Sequence, residues 1–224
     1  MKIFLIDITQ YTMEQLSCLV SDERLKKSSR YHHEMDRRRS LAAGALLNYA
    51  VRQHFPQKEV PVTPALNRYG KPYLDFMEFS LSHSGRYAAC AVGHQPIGVD
   101  IEHQRDFHPE LARRFFTEKE ASACTDSKSF TICWTLKESF LKATGYGMKL
   151  PMNSFEINPA LFDAKRKDSF EYIHSLDDHR YFAKTYVIGN DTYLSVCSMD
   201  CCDFPETIIT PCDDFLYAGG SFGV

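Results

Sequence analysis

The sequence has no run approaching the roughly 20 consecutive apolar residues that cross a bilayer, so no transmembrane helix is expected. Its first residues, MKIFLID, lack the long apolar region and small-residue cleavage site of a secretory signal. The expectation is a soluble cytoplasmic protein with no membrane partner. A charge surplus is missing too: 26 Lys and Arg stand against 29 Asp and Glu, a formal net charge of -3. Without a global basic field, nucleic acid is not an expected partner. There are 8 cysteines but no clean C-x-x-C pair. Without a secretory signal their even number argues only weakly for disulfides. The cluster Cys197, Cys201, Cys202 and Cys212 is poorly spaced for zinc, so reduced, mostly packed thiols are expected.

What is present is ordinary globular composition, 44% hydrophobic and 25% charged over 224 residues. That suffices for a substantial core, in one large domain or two small ones. Residues 2–8 read as a strand and 12–20 as a short amphipathic helix. Ser21, Asp22 and Glu23 supply a cap and an acidic first turn for the basic helix RLKKSSR at 24–30. A longer helix runs from about Asp36 to His54 and is closed by Pro56. NRYGKP at 67–72 is a turn, FSLSHSG at 79–85 and RYAACAV at 86–92 read as paired strands around a Ser-Gly turn, and IGVDIE at 97–102 follows as a strand.

The second half repeats this grammar. HPELARRFF at 108–116 is a helix, Thr117 to Glu120 is a capping box, and Phe130 to Thr144 is a strong helix closed by Gly145. Tyr146-Gly147 then echoes Tyr69-Gly70, and strands at 170–174, 181–188 and 193–198 follow. The expected fold is α+β: two similar halves of about 100 residues, each with helices packed on an antiparallel sheet. The boundaries are 1–103 and 104–224, with a flexible tail from about Ala218.

Four constellations carry the chemistry. In IGVDIE, side chains alternate, so Ile97, Val99 and Ile101 share one face while Gly98, Asp100 and Glu102 share the other. Two carboxylates so placed make either a simply wet face or the ligands of a hard divalent cation. In ICWTLKESFLKA at 132–143, Glu138 and Lys142 lie opposite a broad apolar arc, while Lys137 falls oddly inside it. The pair is either a surface i,i+4 contact or a third carboxylate beside a phosphate partner. SHSG, from Ser82 to Gly85, is a turn able to present hydroxyl, imidazole and backbone N–H groups to a phosphate. The basic stretch Arg24, Lys26, Lys27, Arg30, Arg37, Arg38 and Arg39 is a solvated face or a patch for a polyphosphate ligand. Glu120 is already explained as a cap.

RYGKP at 68–72, FSLSHSGR at 79–86, PIGVDIE at 96–102, RFF at 114–116 and WTLKESFLK at 134–142 occur here in the order in which the Sfp-type 4'-phosphopantetheinyl transferases carry them. The chain resembles that family from its first strand to about Cys197. The resemblance implies a pseudo-dimer of two α+β halves with coenzyme A in the cleft between them. It also implies transfer of the 4'-phosphopantetheine arm of coenzyme A to a serine of an apo carrier protein domain, peptidyl or acyl, with Mg2+, releasing adenosine 3',5'-bisphosphate. By resemblance, Asp100, Glu102 and Glu138 hold the metal, Lys142 neutralises the phosphates, and Ser82 and His83 grip them. Arg24, Lys27, Arg39, Ser40 and Lys71 fall where the family contacts the adenosine and its 3'-phosphate. Arg24 stands where lysine is common, Ser40 where threonine is, and Ser80 where asparagine is often seen.

In this reading Glu138 is the first candidate to accept the serine proton, and Glu120 or a metal-bound water the second. Gly98 is expected to leave room for the ligand beside the carboxylates. The stretch from Arg105 to Phe116, with Arg113 and Arg114, either docks the carrier or is a helix that buries Leu111, Phe115 and Phe116 in its own core. A monomer is expected. An acidic pair with a lysine would also suit a Mg2+-dependent nuclease, against which stand the missing basic surface and the SHSG turn. A binder without transfer would have no need of three carboxylates near phosphates.

Overall fold

The computed structural model describes residues 1–162, 171–176, 178–211 and 213–217. Cys212 and the tail from Ala218 lie outside the described residues. The chain runs β1 (Lys2–Asp7), α1 (Met13–Ser17), α2 (Asp22–Ser28), α3 (Glu34–His54), β2 (Ala65–Leu66), β3 (Pro72–Tyr73), β4 (Glu78–Ser84), β5 (Tyr87–Gly93) and β6 (Ile97–His103). It continues through α4 (Pro109–Phe115), α5 (Glu118–Ala123), α6 (Ser127–Thr144), β7 (Glu171–Leu176), β8 (His179–Ile188) and β9 (Thr192–Met199). Helices on antiparallel sheets make this an α+β fold.

One sheet has the order β1-β5-β4 and the other β6-β9-β8-β7, with β2-β3 a separate two-stranded hairpin. The alanine-rich stretch of α3 lets that helix lie close on the first sheet, and its core includes Phe4, Leu46 and Phe79. α6 packs on the second sheet, with Phe140, Tyr193 and Cys197 in its core. Ile3, Leu5, Ile97, Val99, Ile101 and Val196 form a third cluster, where the two sheets meet. The apolar face expected for β6 is therefore the seam between the sheets. β6 pairs by backbone with β9, from Ile97 opposite Ser198 to His103 opposite Thr192.

α6 starts earlier than its apolar pattern suggests, because Asp126 caps it and Ser129 completes a capping box. It stops at Gly145, whose φ of 73° closes the helix without Cβ strain. After β9 the chain crosses back. Ile209 exchanges hydrogen bonds with β1, donating to Ile3 O at 2.8 Å and accepting from Leu5 N at 3.0 Å. Phe215 is fully buried in the first core. The described cysteines form no disulfide with one another, and no described helix is long and apolar enough to cross a membrane.

Candidate active site

The seam between β4 and β6 builds the site. The alternating serines of EFSLSHS put three hydroxyls on one face of β4. Each accepts a hydrogen bond from a β6 amide: Val99 N to Ser80 Oγ at 3.0 Å, Ile101 N to Ser82 Oγ at 3.3 Å and His103 N to Ser84 Oγ at 3.1 Å. Ser80 thus has a structural task, holding the strand that carries the acids. Two of these serines also donate across the seam, Ser82 to Asp100 Oδ1 at 2.8 Å and Ser84 to Glu102 Oε2 at 2.7 Å. Ser82 and His83 lie within β4, not in the turn; Gly85, with φ of 53°, begins the turn itself. The Ser-Gly signal marks the end of the strand, and the strand continues through Ser84.

Gly98 corrects a second expectation. A Cβ there would collide with the Ser139 carbonyl oxygen and lie 2.5 Å from Ala143 N. The space beside Asp100 is taken by the α6 backbone, so Gly98 admits the helix, not a ligand. This contact sets Lys142 on the acids: its ammonium donates to Asp100 Oδ1 at 2.7 Å, Val99 O at 3.1 Å and Ser82 Oγ at 3.2 Å. All three of its protons are used.

Asp100, Glu102, Glu138 and Lys142 line one cleft of 810 Å³ together with Ser82 and His83, and with Arg24, Lys27 and Arg30 on its basic wall. Gly44 of α3 seats Arg24, since a Cβ at that position would come within 3.0 Å of its Cγ and Nε. Burial holds Arg24 and Lys27 below their usual pKa values, and Arg24 lowers Lys27 further. Cations desolvated in this way gain from an anionic ligand. Burial, then Lys142, lowers His83, which favours a neutral imidazole. Burial raises Glu138 first, and the charges of Asp100 and Glu102 raise it further, with Lys142 acting against them.

The acids fit a hard cation. Asp100 Oδ2 is buried and lacks a hydrogen-bond partner, so one oxygen remains to be satisfied. Among the described residues no three such groups stand together as a ready ligand set. Lys142 is on Asp100 and Arg105 on Glu102, while Glu138 faces the same cleft.

Several expected residues are not brought to this cleft. Glu120 is fully buried. Its oxygens accept from Thr117 N at 2.8 Å, from Ile157 N and from Lys137 Nζ at 2.8 Å. Lys137 also donates to the carbonyls of Met152 and Phe155, both at 2.7 Å. The lysine in the apolar arc is thus half of a buried ion pair, and Glu120 has no access to a substrate. Arg39 donates to Gly85 O at 2.9 Å and pairs with Asp36 at 2.7 Å. Ser40 is buried in α3 with its hydroxyl unpartnered. Lys71 donates to Ile97 O at 3.3 Å and Ala143 O at 3.4 Å, lining a smaller neighbouring cavity of 240 Å³. At the end of α4, the capping Phe116 is buried and Phe115 packs edge-on against Trp134 at 5.6 Å, leaving Leu111 exposed beside Arg113 and Arg114. Arg105 and Trp134 also line the cleft; neither is a metal or coenzyme A candidate on sequence grounds, where the one signal is the place of Trp134 in WTLKESFLK.

A family model for the 4'-phosphopantetheinyl transferase superfamily matches residues 96–197, which span β6 through β9. A 4'-phosphopantetheinyl transferase of Bacillus subtilis is 32% identical over 202 residues, covering 85% of this chain and 88% of the relative. The 4'-phosphopantetheinyl transferase Sfp of Bacillus subtilis strain 168 is 31% identical over 211 residues, 90% of this chain and 91% of the relative. The transferase gsp of Aneurinibacillus migulanus is 35% identical over 159 residues, 68% of this chain and 67% of the relative. The chain belongs to the Sfp-type 4'-phosphopantetheinyl transferases and is an enzyme of that class.

Proposed function

We propose that this cleft transfers the 4'-phosphopantetheine arm of coenzyme A to a serine of an apo carrier protein domain, with Mg2+, and releases adenosine 3',5'-bisphosphate. The observation that carries the reading is a single cleft with a basic wall, Arg24 and Lys27, leading to Asp100, Glu138 and Lys142. A nucleotide bearing a pyrophosphate fits that sequence of charges. Arg24 and Lys27 hold the adenosine 3'-phosphate end. His83, neutral and next to Ser82, offers a hydrogen bond to a phosphate oxygen.

In the step itself, the serine oxygen of the carrier bonds to the β-phosphorus, and the bond from that phosphorus to the bridging oxygen breaks. Positioning and charge neutralisation carry most of such a transfer. Lys142 faces the charge that grows on the leaving phosphate. Glu138 accepts the serine proton; Glu120 is withdrawn into its ion pair. Asp100 through Oδ2, with Glu102 and Glu138, would hold Mg2+, which when bound offsets the pyrophosphate charge. The carrier docks on the exposed edge of α4, where Leu111, Arg113 and Arg114 meet an acidic surface. The enzyme acts as a monomer, since one chain supplies both walls of the cleft.

Incubation with coenzyme A, Mg2+ and apo peptidyl or acyl carriers, read by intact mass, tests the reading. One added arm per carrier is expected. Unmodified carriers throughout, or cleavage of DNA or RNA without coenzyme A, would overturn it.

A further inference from the structure

Glu102 is held at both oxygens. Ser84 Oγ donates to Oε2 at 2.7 Å, and the Arg105 guanidinium pairs with Oε1. Arg105 is itself anchored three ways on neighbouring elements. Its backbone N–H donates to Thr131 Oγ1 of α6 at 3.0 Å. Its guanidinium lies over the Trp134 ring at 5.1 Å. It then spans from α6 to the end of β6, where Glu102 stands. Trp134 in turn is fixed by Phe115, Phe116 and Phe130. A planar fork backed by an indole is a rigid way to orient one carboxylate. Asp100 differs, because Lys142 and Ser82 meet only Oδ1 and Oδ2 is left open.

We propose that Arg105 is a positioning residue of the transfer site. Stacked on Trp134, it fixes Glu102 with Ser84 and offsets the charge of that carboxylate beside Asp100 and Glu138. This inference rests on the reading that these carboxylates hold the metal. It assigns the WTLKESFLK tryptophan a task, as the platform for Arg105. Arg105 touches neither the donor nor the metal in this account; it acts through Glu102.

Two consequences separate this role from a merely structural one. Removing the guanidinium takes a positive charge away from three carboxylates, so a divalent cation binds more tightly. It also frees Glu102 to move, so turnover falls. A residue that only supports the fold would weaken both together.

The test measures Mn2+ dissociation constants by calorimetry, and kcat and KM, for the full chain carrying Arg105→Gln or Arg105→Lys. Arg105→Gln is expected to bind Mn2+ about threefold or more tightly and to lose about tenfold or more in kcat. Its KM for coenzyme A should stay within about twofold. Arg105→Lys, which keeps the charge without the stacked fork, is expected to keep the wild-type Mn2+ affinity and to lose kcat, and it serves alone if Arg105→Gln does not fold. Wild-type kcat in either variant, or unchanged or weaker Mn2+ binding in Arg105→Gln, would overturn the proposal while wild-type transfer still stood. Absence of transfer and of Mn2+ binding in the wild type would overturn the underlying reading and this proposal together.

Discussion

Gly98 and Ser139 touch backbone to backbone: a side chain at Gly98 would overlap the Ser139 carbonyl oxygen. That contact brings the last turns of α6 onto β6 and sets Lys142 at 2.7 Å from Asp100. Gly98→Ala is therefore expected to destabilise by about 1–3 kcal/mol or more, the range for overpacking a filled interior. It should also cut transfer beyond the loss of folded protein, because Lys142 moves with the helix. Gly93→Ala is the control, since its nearest neighbour would be at 3.8 Å. Thermal melts and transfer rates of the two variants check this; equal effects would deny the close contact its role.

The buried pair of Lys137 and Glu120 predicts strong non-additivity. Lys137→Met strands a carboxylate that has no solvent, which costs about 3–5 kcal/mol. Adding Glu120→Gln removes the charge while keeping an oxygen for the Thr117 or Ile157 amide. The double variant should then be more stable than Lys137→Met alone, as urea unfolding would show.

Glu138 gives a pH signature. Its folded pKa is raised above 4.5 by burial and by Asp100 and Glu102. Between the unfolded and folded values the native state holds more protons than the unfolded chain. Stability of the metal-free protein therefore falls as pH rises through that window. Glu138→Gln removes this dependence. Its melting temperature minus that of the wild type should grow as pH rises through the window; a constant difference would place Glu138 outside the acidic cluster.

Lys27 and Lys71 should separate cleanly. Lys27 lines the main cleft, and Lys27→Ala is expected to raise the KM for coenzyme A about tenfold, the loss of one charge-assisted contact. Lys71 instead clamps Ile97 and Ala143 carbonyls, so Lys71→Ala should lower melting temperature and kcat with a smaller change in KM. Steady-state kinetics of both variants decide the assignment; a larger KM effect for Lys71 would return it to the coenzyme A site.

Much of this arrangement is legible in the chain because it is local. The alternation in IGVDIE, the capping box at Thr117 and the stop at Gly145 each depend on neighbours within a few residues. What is not legible depends on which elements meet. Glu120 carries a valid cap signature, yet Lys137 also pairs with its capping oxygen and its second oxygen accepts from Ile157 N, both from segments far along the chain. Lys137 stands out only as a lysine inside an apolar arc, and its buried partner is set by the packing of the Glu120 helix. Gly98 can make room for a ligand or for a helix, and only the packing of α6 decides. The serines of β4 resemble turn residues until β6 is laid against them.

Transfer is assigned to the cleft around Asp100. The most direct test compares wild type and Asp100→Asn, each given coenzyme A, Mg2+ and an apo carrier, by intact mass of the carrier. The wild type should add one phosphopantetheine arm to the carrier serine. Asp100→Asn, folded by circular dichroism, should leave the carrier unmodified. Transfer by Asp100→Asn at the wild-type rate would contradict the account.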